Sequence, residues 1–196
     1  MMRKANGSRN RRTTAIVAAI AAVQVAALLT YRWVERERQA SVGEQFPFEQ
    51  LRTMPAPDIT LVRPDGSKQQ LATLRGQTVL LHFWATWCPP CREELPRLLA
   101  LGRELARGGQ FEVIAVSLDR DWETVAEFFG TRIPNEVFRA DGESTKAYGV
   151  SELPDTYLID PNGSLRVRFA GARDWSNESA RELFEGYLGA AREGGF

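Results

Sequence analysis

The only two cysteines of the chain stand three residues apart, in Cys88-Pro89-Pro90-Cys91, between an apolar run and a helical one. Thr78–Trp84 (TVLLHFW) is β-rich and almost wholly apolar, the pattern of a central strand buried on both faces. Residues 93–107 place Leu95, Leu98, Leu99, Leu101 and Leu105 on one broad helical face. Pro96 inside this run predicts a kink. A fold that accommodates this order brings a buried strand up to two thiols and starts a helix there. Two intervening residues let a disulfide close across the first helical turn. Cys88 then sits at the positive end of the helix dipole, beside unpaired backbone N–H groups. Both features stabilise a thiolate, which makes Cys88 the candidate nucleophile and Cys91 the candidate resolving thiol. Pro90 suits the first helical position, where a missing N–H does no harm.

Other uses of the pair fit less well. A bridge between cysteines three apart closes too small a loop to stabilise much. Two cysteines and one histidine fall short of a four-ligand zinc cage and of a disulfide-rich scaffold. No metal and no cofactor is expected.

The rest of the body alternates strands and helices. Residues 58–62 and 68–71 around Asp65-Gly66 read as a hairpin. Residues 111–118 read as a second buried strand, and 122–131 as a helix with Asp121 as its cap. A strand-like piece lies near 137–140. Residues 156–159 and 165–169 flank Asp160-Pro161-Asn162-Gly163, a strong turn signal. A closing helix covers 178–191, capped by Ser176 or Asn177. Long crossovers followed by an antiparallel pair predict a mixed α/β sheet with helices on both faces.

The N-terminus reads as a membrane anchor. Residues 13–31 carry no charge, and Tyr31 and Trp33 follow where an aromatic belt would lie. Five cations (Arg3, Lys4, Arg9, Arg11, Arg12) precede the run, which keeps 1–12 cytoplasmic and exports the remainder. A cleaved signal peptide is the competing reading, with Val25-Ala26-Ala27 as its site. Leu28 and Leu29, however, continue the apolar run past that point. Residues 32–54 read as a tether, of which 32–39 could extend the anchor helix, and 55–191 as the folded domain. From Ser41 onward there are 17 Lys and Arg against 23 Asp and Glu, an acidic body that argues against a nucleic-acid footprint.

Two stretches, 83–96 (FWATWCPPCREELP) and 148–160 (from Tyr148-Gly149-Val150 through Leu153-Pro154-Asp155-Thr156 to Asp160), resemble the thioredoxin superfamily. They are most similar to its TlpA/ResA-like branch of membrane-anchored thiol–disulfide oxidoreductases. The resemblance implies a thioredoxin-like fold, and the 62 residues between Cys91 and Pro154 match the TlpA-type insertion. It also implies that Pro154 is cis and packs against the active disulfide, and that the backbone of Leu153 pairs with the substrate chain. Trp87, with Pro89 and Pro90, would face the substrate. Such proteins reduce disulfides of extracytoplasmic substrates, in cytochrome c maturation or copper-site assembly, with electrons from a membrane thiol transporter. The expected location is a bacterial inner membrane, with the catalytic domain in the periplasm.

Two ionisable residues accompany the pair. Glu94 lies one turn after Cys91 and shares its face, where the resemblance implies a carboxylate that tunes thiol pKa. A first-turn acid that favours the dipole is the simpler reading. His82, the only histidine, lies six residues before Cys88, where the branch usually carries asparagine. It reads either as a relay for the Cys91 proton or as a neutral, hydrogen-bonded core histidine. Trp84 and Trp122 read as packing. A peroxiredoxin requires Pro-x-x-x-Thr/Ser-x-x-Cys, and Leu81 and Ala85 fail it. A copper chaperone using the two thiolates usually recruits a further histidine, and His82 lies on the core strand.

A reporter fused after Phe196 should be active only outside the cytoplasm, with the protein in the membrane fraction. Recovery of a soluble form beginning near Leu28 would establish cleavage instead.

Overall fold

The computed structural model describes residues 6–130, 132–140 and 142–192. Residues 1–5 of the basic segment, and Thr131 at the end of one expected helix, lie outside them. The chain divides into two units, Met1–Glu44 and Gln45–Phe196. The first is one long helix, α1 (Asn6–Gln45). Its segment Ala15–Val34 is long and apolar enough to cross a membrane, and these side chains are exposed. Thr30 donates its hydroxyl to the carbonyls of Ala26 and Ala27, so it carries no unmet polar group.

The second unit is built on an eight-stranded mixed sheet with the order β1-β8-β7-β4-β5-β6-β2-β3. The elements are β1 (Glu49–Pro55), β2 (Thr60–Val62), β3 (Lys68–Gln70), β4 (Thr78–Trp84), α2 (Pro89–Leu105) and β5 (Phe111–Ser117). They continue with α3 (Trp122–Phe129), β6 (Val137–Arg139), α4 (Gly142–Ala147), β7 (Asp155–Ile159), β8 (Ser164–Ala170) and α5 (Glu178–Arg192). All seven residues of β4 are buried. It pairs in parallel with β5 and antiparallel with β7, so neither edge meets water.

Alternation along β4 divides the core in two. Leu80 and Trp84 pack with Leu95, Leu98 and Leu99 of α2, Val125 of α3, and Ala180 and Phe184 of α5. Val79, Leu81 and Phe83 pack on the other face with Leu61, Leu71 and Tyr148. His82 falls between Leu80 and Trp84 and so faces α2. Gly102 lets α2 approach β5 closely, because a Cβ there would lie 2.2 Å from Val113 Cγ2.

The hairpin β2–β3 forms where the Asp65-Gly66 turn predicts it. Asp121 caps α3 through Thr124 N–H, and Asn177 rather than Ser176 accepts from the first turn of α5. The helix α2 starts earlier than its leucine pattern, at Pro89, and continues through Pro96 as one element. The short helix α4 has no apolar period and was not expected. Most of the span expected as a tether, 32–54, lies in regular elements. The helix α1 runs to Gln45, and β1 pairs with β8 as the edge strand, Glu49 opposite Arg168 and Met54 opposite Leu165. Six of the seven β1 residues are exposed, so the strand has little hydrophobic alternation to announce it. Its anchor is Phe46, buried between Phe169 and Trp175 at ring distances of 5.6 and 5.3 Å.

Phe46→Ala should therefore lower the unfolding free energy by about 3 kcal/mol in a denaturant titration. Met54→Ala, at an exposed position of the same segment, should change it by less than about 0.5 kcal/mol.

Candidate functional site

The site begins where β4 runs out of partners. Leu118 N–H donates to Trp84 O, and the chain then turns through Ala85, Thr86 and Trp87. Asp119, buried at the end of β5, holds this turn. Its Oδ2 accepts from Thr86 N–H at 3.0 Å and from Ser117 Oγ at 2.7 Å, while Oδ1 accepts from Thr86 Oγ1 at 2.7 Å. Cys88 N–H donates to Ala85 O, which completes the turn, and Cys88 becomes the N-cap of α2.

Cys88 and Cys91 are joined in a disulfide with a Cα–Cα distance of 5.3 Å. Cys88 Sγ accepts the Cys91 N–H at 3.3 Å. The sulfur of Cys88 thus receives one of the free amides of the first helical turn, with Pro89 and Pro90 at the positions where no amide is needed. Negative charge on that sulfur would be stabilised by the same amide and by the helix dipole. Cys88 is 5% exposed and Cys91 fully buried.

An open cleft of about 390 Å³ runs past the disulfide, lined by Trp87, Pro89, Pro90 and Leu118 on one side and 150–153 on the other. Trp87 is 66% exposed, the one bulky apolar side chain on this rim that faces solvent. Leu153 lines the cleft and Pro154 is buried behind it. The Leu153–Pro154 peptide is cis, the isomer that the resemblance implies. Trp84 is fully buried and packs on Phe128 and Phe129.

Glu94 points inward, not to the dipole-stabilised surface. It is 3% exposed, and its Oε2 accepts Arg173 N–H at 2.6 Å. Burial pushes its pKa up to about 7; the Arg173 amide and guanidinium and the neighbouring Trp175 indole oppose that shift without cancelling it. His82 is fully buried, and burial pushes its imidazole down to about 3. Its Nδ1 lies 2.8 Å from Thr156 Oγ1, its neighbour across β7. The structure thus brings His82, Cys91 and Glu94 to the same face of the sheet.

Asp119, Arg173 and Trp175 support the site without having been singled out in the sequence. Asp119 carried a readable signal: it is a carboxylate just past a buried strand that neighbours the one leading to Cys88. Arg173 acts through its backbone, which no residue pattern reports. Its guanidinium donates to Pro47 O, so the segment before β1 also steadies the Glu94 partner.

The chain matches the model of the Redoxin family over residues 52–183. It is 38% identical over 119 residues to the thiol-disulfide oxidoreductase ResA of Geobacillus thermodenitrificans, covering 59% of this chain and 67% of that protein. To the ResA of Oceanobacillus iheyensis it is 35% identical over 142 residues, 68% of this chain and 69% of that one. Among solved structures, a thiol:disulfide interchange protein of the thioredoxin family from Chlorobium tepidum superposes with a TM-score of 0.55. The identity is 25%, over 67% of this chain and 95% of the other.

The raised Glu94 pKa has a thermodynamic consequence. Between pH 4.5 and about 7 the folded chain keeps a proton on Glu94 that the unfolded chain releases, so this group lowers stability as pH rises through that window. Glu94→Gln removes the effect. Relative to the wild type, the variant should gain about 3 kcal/mol on going from pH 4.5 to pH 8. Urea unfolding at the two pH values measures it.

Proposed function

Given that the chain belongs to the redoxin family and is a ResA/TlpA-like thiol–disulfide oxidoreductase of the thioredoxin superfamily, we propose that it is tethered by α1 to a bacterial inner membrane and reduces disulfides of protein substrates on the periplasmic side. The observation that carries this reading is Cys88 as the N-cap of α2, disulfide-bonded to Cys91 and open to a cleft rimmed by Trp87.

In the reduced protein the Cys88 thiolate attacks a substrate disulfide. One substrate sulfur leaves as thiolate and a mixed disulfide forms. Cys91 then loses its proton and attacks Cys88 Sγ, which releases the second substrate thiolate and restores the Cys88–Cys91 bond. Two electrons pass to the substrate. A membrane dithiol donor returns them by the same exchange in reverse. Glu94, ionised in this step, is the base that receives the Cys91 proton. Trp87, Pro89, Pro90 and Leu153 form the contact surface, with an extended substrate segment lying along the cleft beside Pro154. Substrates of the cytochrome c maturation or copper-site assembly kind fit a reductant tethered outside the cytoplasm. The acidic body and the buried position of the only histidine favour this reading over a nucleic-acid or copper-carrying role.

Two measurements test it. In the reduced chain, Cys88 should be alkylated well below the ordinary thiol pKa of about 8.5, with Cys91 slow; faster modification of Cys91 would reverse the two roles. In cells, Cys91→Ala should accumulate mixed disulfides through Cys88 to proteins outside the cytoplasm, and Cys88→Ala should accumulate none.

A further inference from the structure

His82 and Glu94 face each other with their remaining valences unmet. His82 Nε2 lies 3.7 Å from Glu94 Oε1, beyond hydrogen-bond distance. Each of these atoms is buried without a hydrogen-bond partner among the described residues. The other atom of each group is engaged: Nδ1 with Thr156 Oγ1, and Oε2 with Arg173 N–H. With the imidazole proton on Nδ1, two lone pairs face each other across 3.7 Å, and the Trp175 indole, whose Nε1 is also buried without a partner among the described residues, acts on the same carboxylate. An orphaned buried acceptor is unfavourable, and one proton shared across a contact shortened to about 3 Å would satisfy both.

We propose that His82 is a positioning residue of the thiol–disulfide reaction: its Nε2 and Glu94 Oε1 hold one proton between them, and this pair, rather than Glu94 alone, takes up the proton that Cys91 loses. This rests on the reading of Cys91 as the resolving thiol. The balance closes within one cycle. Cys91 gives up one proton as it attacks the mixed disulfide, and the pair goes from net charge −1 to 0. When the disulfide is reduced again, Cys91 Sγ leaves as thiolate and recovers that proton. Neutral His82 raises the proton affinity of the carboxylate in two ways. It offers an acceptor to the acid form and sets a lone pair against the ionised one. The groups facing the pair are the Arg173 amide and guanidinium and the Trp175 indole on the segment after β8, Thr156 on β7 and Ala115 on β5, with Cys91 buried one helical turn before Glu94 on α2.

Because His82 is the only histidine of the chain, histidine-selective ¹⁵N labelling reports on it alone, in the full-length oxidised protein in detergent micelles. Between pH 4.5 and 9 the Nε2 resonance should move with a midpoint near neutrality, where Glu94 titrates, while Nδ1 stays protonated. In Glu94→Gln the movement should vanish. Resonances that do not change with pH in the wild type, or a titration that persists in Glu94→Gln, would overturn the proposal and leave His82 a neutral core residue held by Thr156 alone. His82→Leu supplies a second measurement. The pH midpoint for resolution of a preformed mixed disulfide should fall by about one unit, because Glu94 loses its acceptor. An unchanged midpoint would equally overturn it. The labelling experiment needs no substrate and no exchange. A wild-type chain that reduced no peptide disulfide would therefore refute the oxidoreductase reading and leave the His82 titration to stand or fall separately.

Discussion

The two-faced burial of β4 is the constraint on which the site depends. A strand hydrogen-bonded on both edges and covered on both faces has no freedom to slide, because a one-residue slip would exchange Leu80, His82 and Trp84 with Val79, Leu81 and Phe83. Its C-terminal end is therefore a fixed point. The turn built on that point by Asp119 delivers Cys88 to the N-terminus of α2. The reactive sulfur needs little local machinery beyond this. One backbone amide and the direction of the helix axis already favour its negative charge.

The same burial that fixes β4 creates the electrostatic tension behind the disulfide. Glu94 follows Cys91 by one turn, so any helix that buries Cys91 against the sheet carries Glu94 inward with it. A carboxylate there is desolvated and holds its proton toward neutrality, and a histidine there sheds its own. Burial disfavours the charged form of each, and the facing atoms, His82 Nε2 and Glu94 Oε1, have no hydrogen-bond partner among the described residues. Burial holds this acid near neutral pH at the expense of fold stability above pH 4.5.

Much of this was legible in the sequence because it depends on local pattern. The apolar run of β4, the leucine spacing of α2, the Asp65-Gly66 and Asp160–Gly163 turns and the Asp121 cap all involve residues close in the chain. The edge strand β1 was not legible. Its residues are mostly exposed, and what makes it a strand is the free edge of β8, which lies more than 100 residues away in the chain. The short helix α4 likewise lacks an apolar face of its own; Ser144 within it and Tyr148 after it are buried.

The sequence by itself determined the chemistry. Two thiols three apart between a buried strand and a helix permit a disulfide across the first turn, and an uncharged 19-residue run after five cations is long enough to cross a membrane. The tertiary structure alone decided what surrounds the thiols. Whether Glu94 faces water or the core, and whether His82 meets Thr156, Glu94 or nothing, depends on how α2 sits over β4 and where the segment after β8 passes. The physical reason is range. Hydrophobic period and helix polarity act over a few residues, whereas the proton affinity of a buried group is set by whichever distant segments exclude its water.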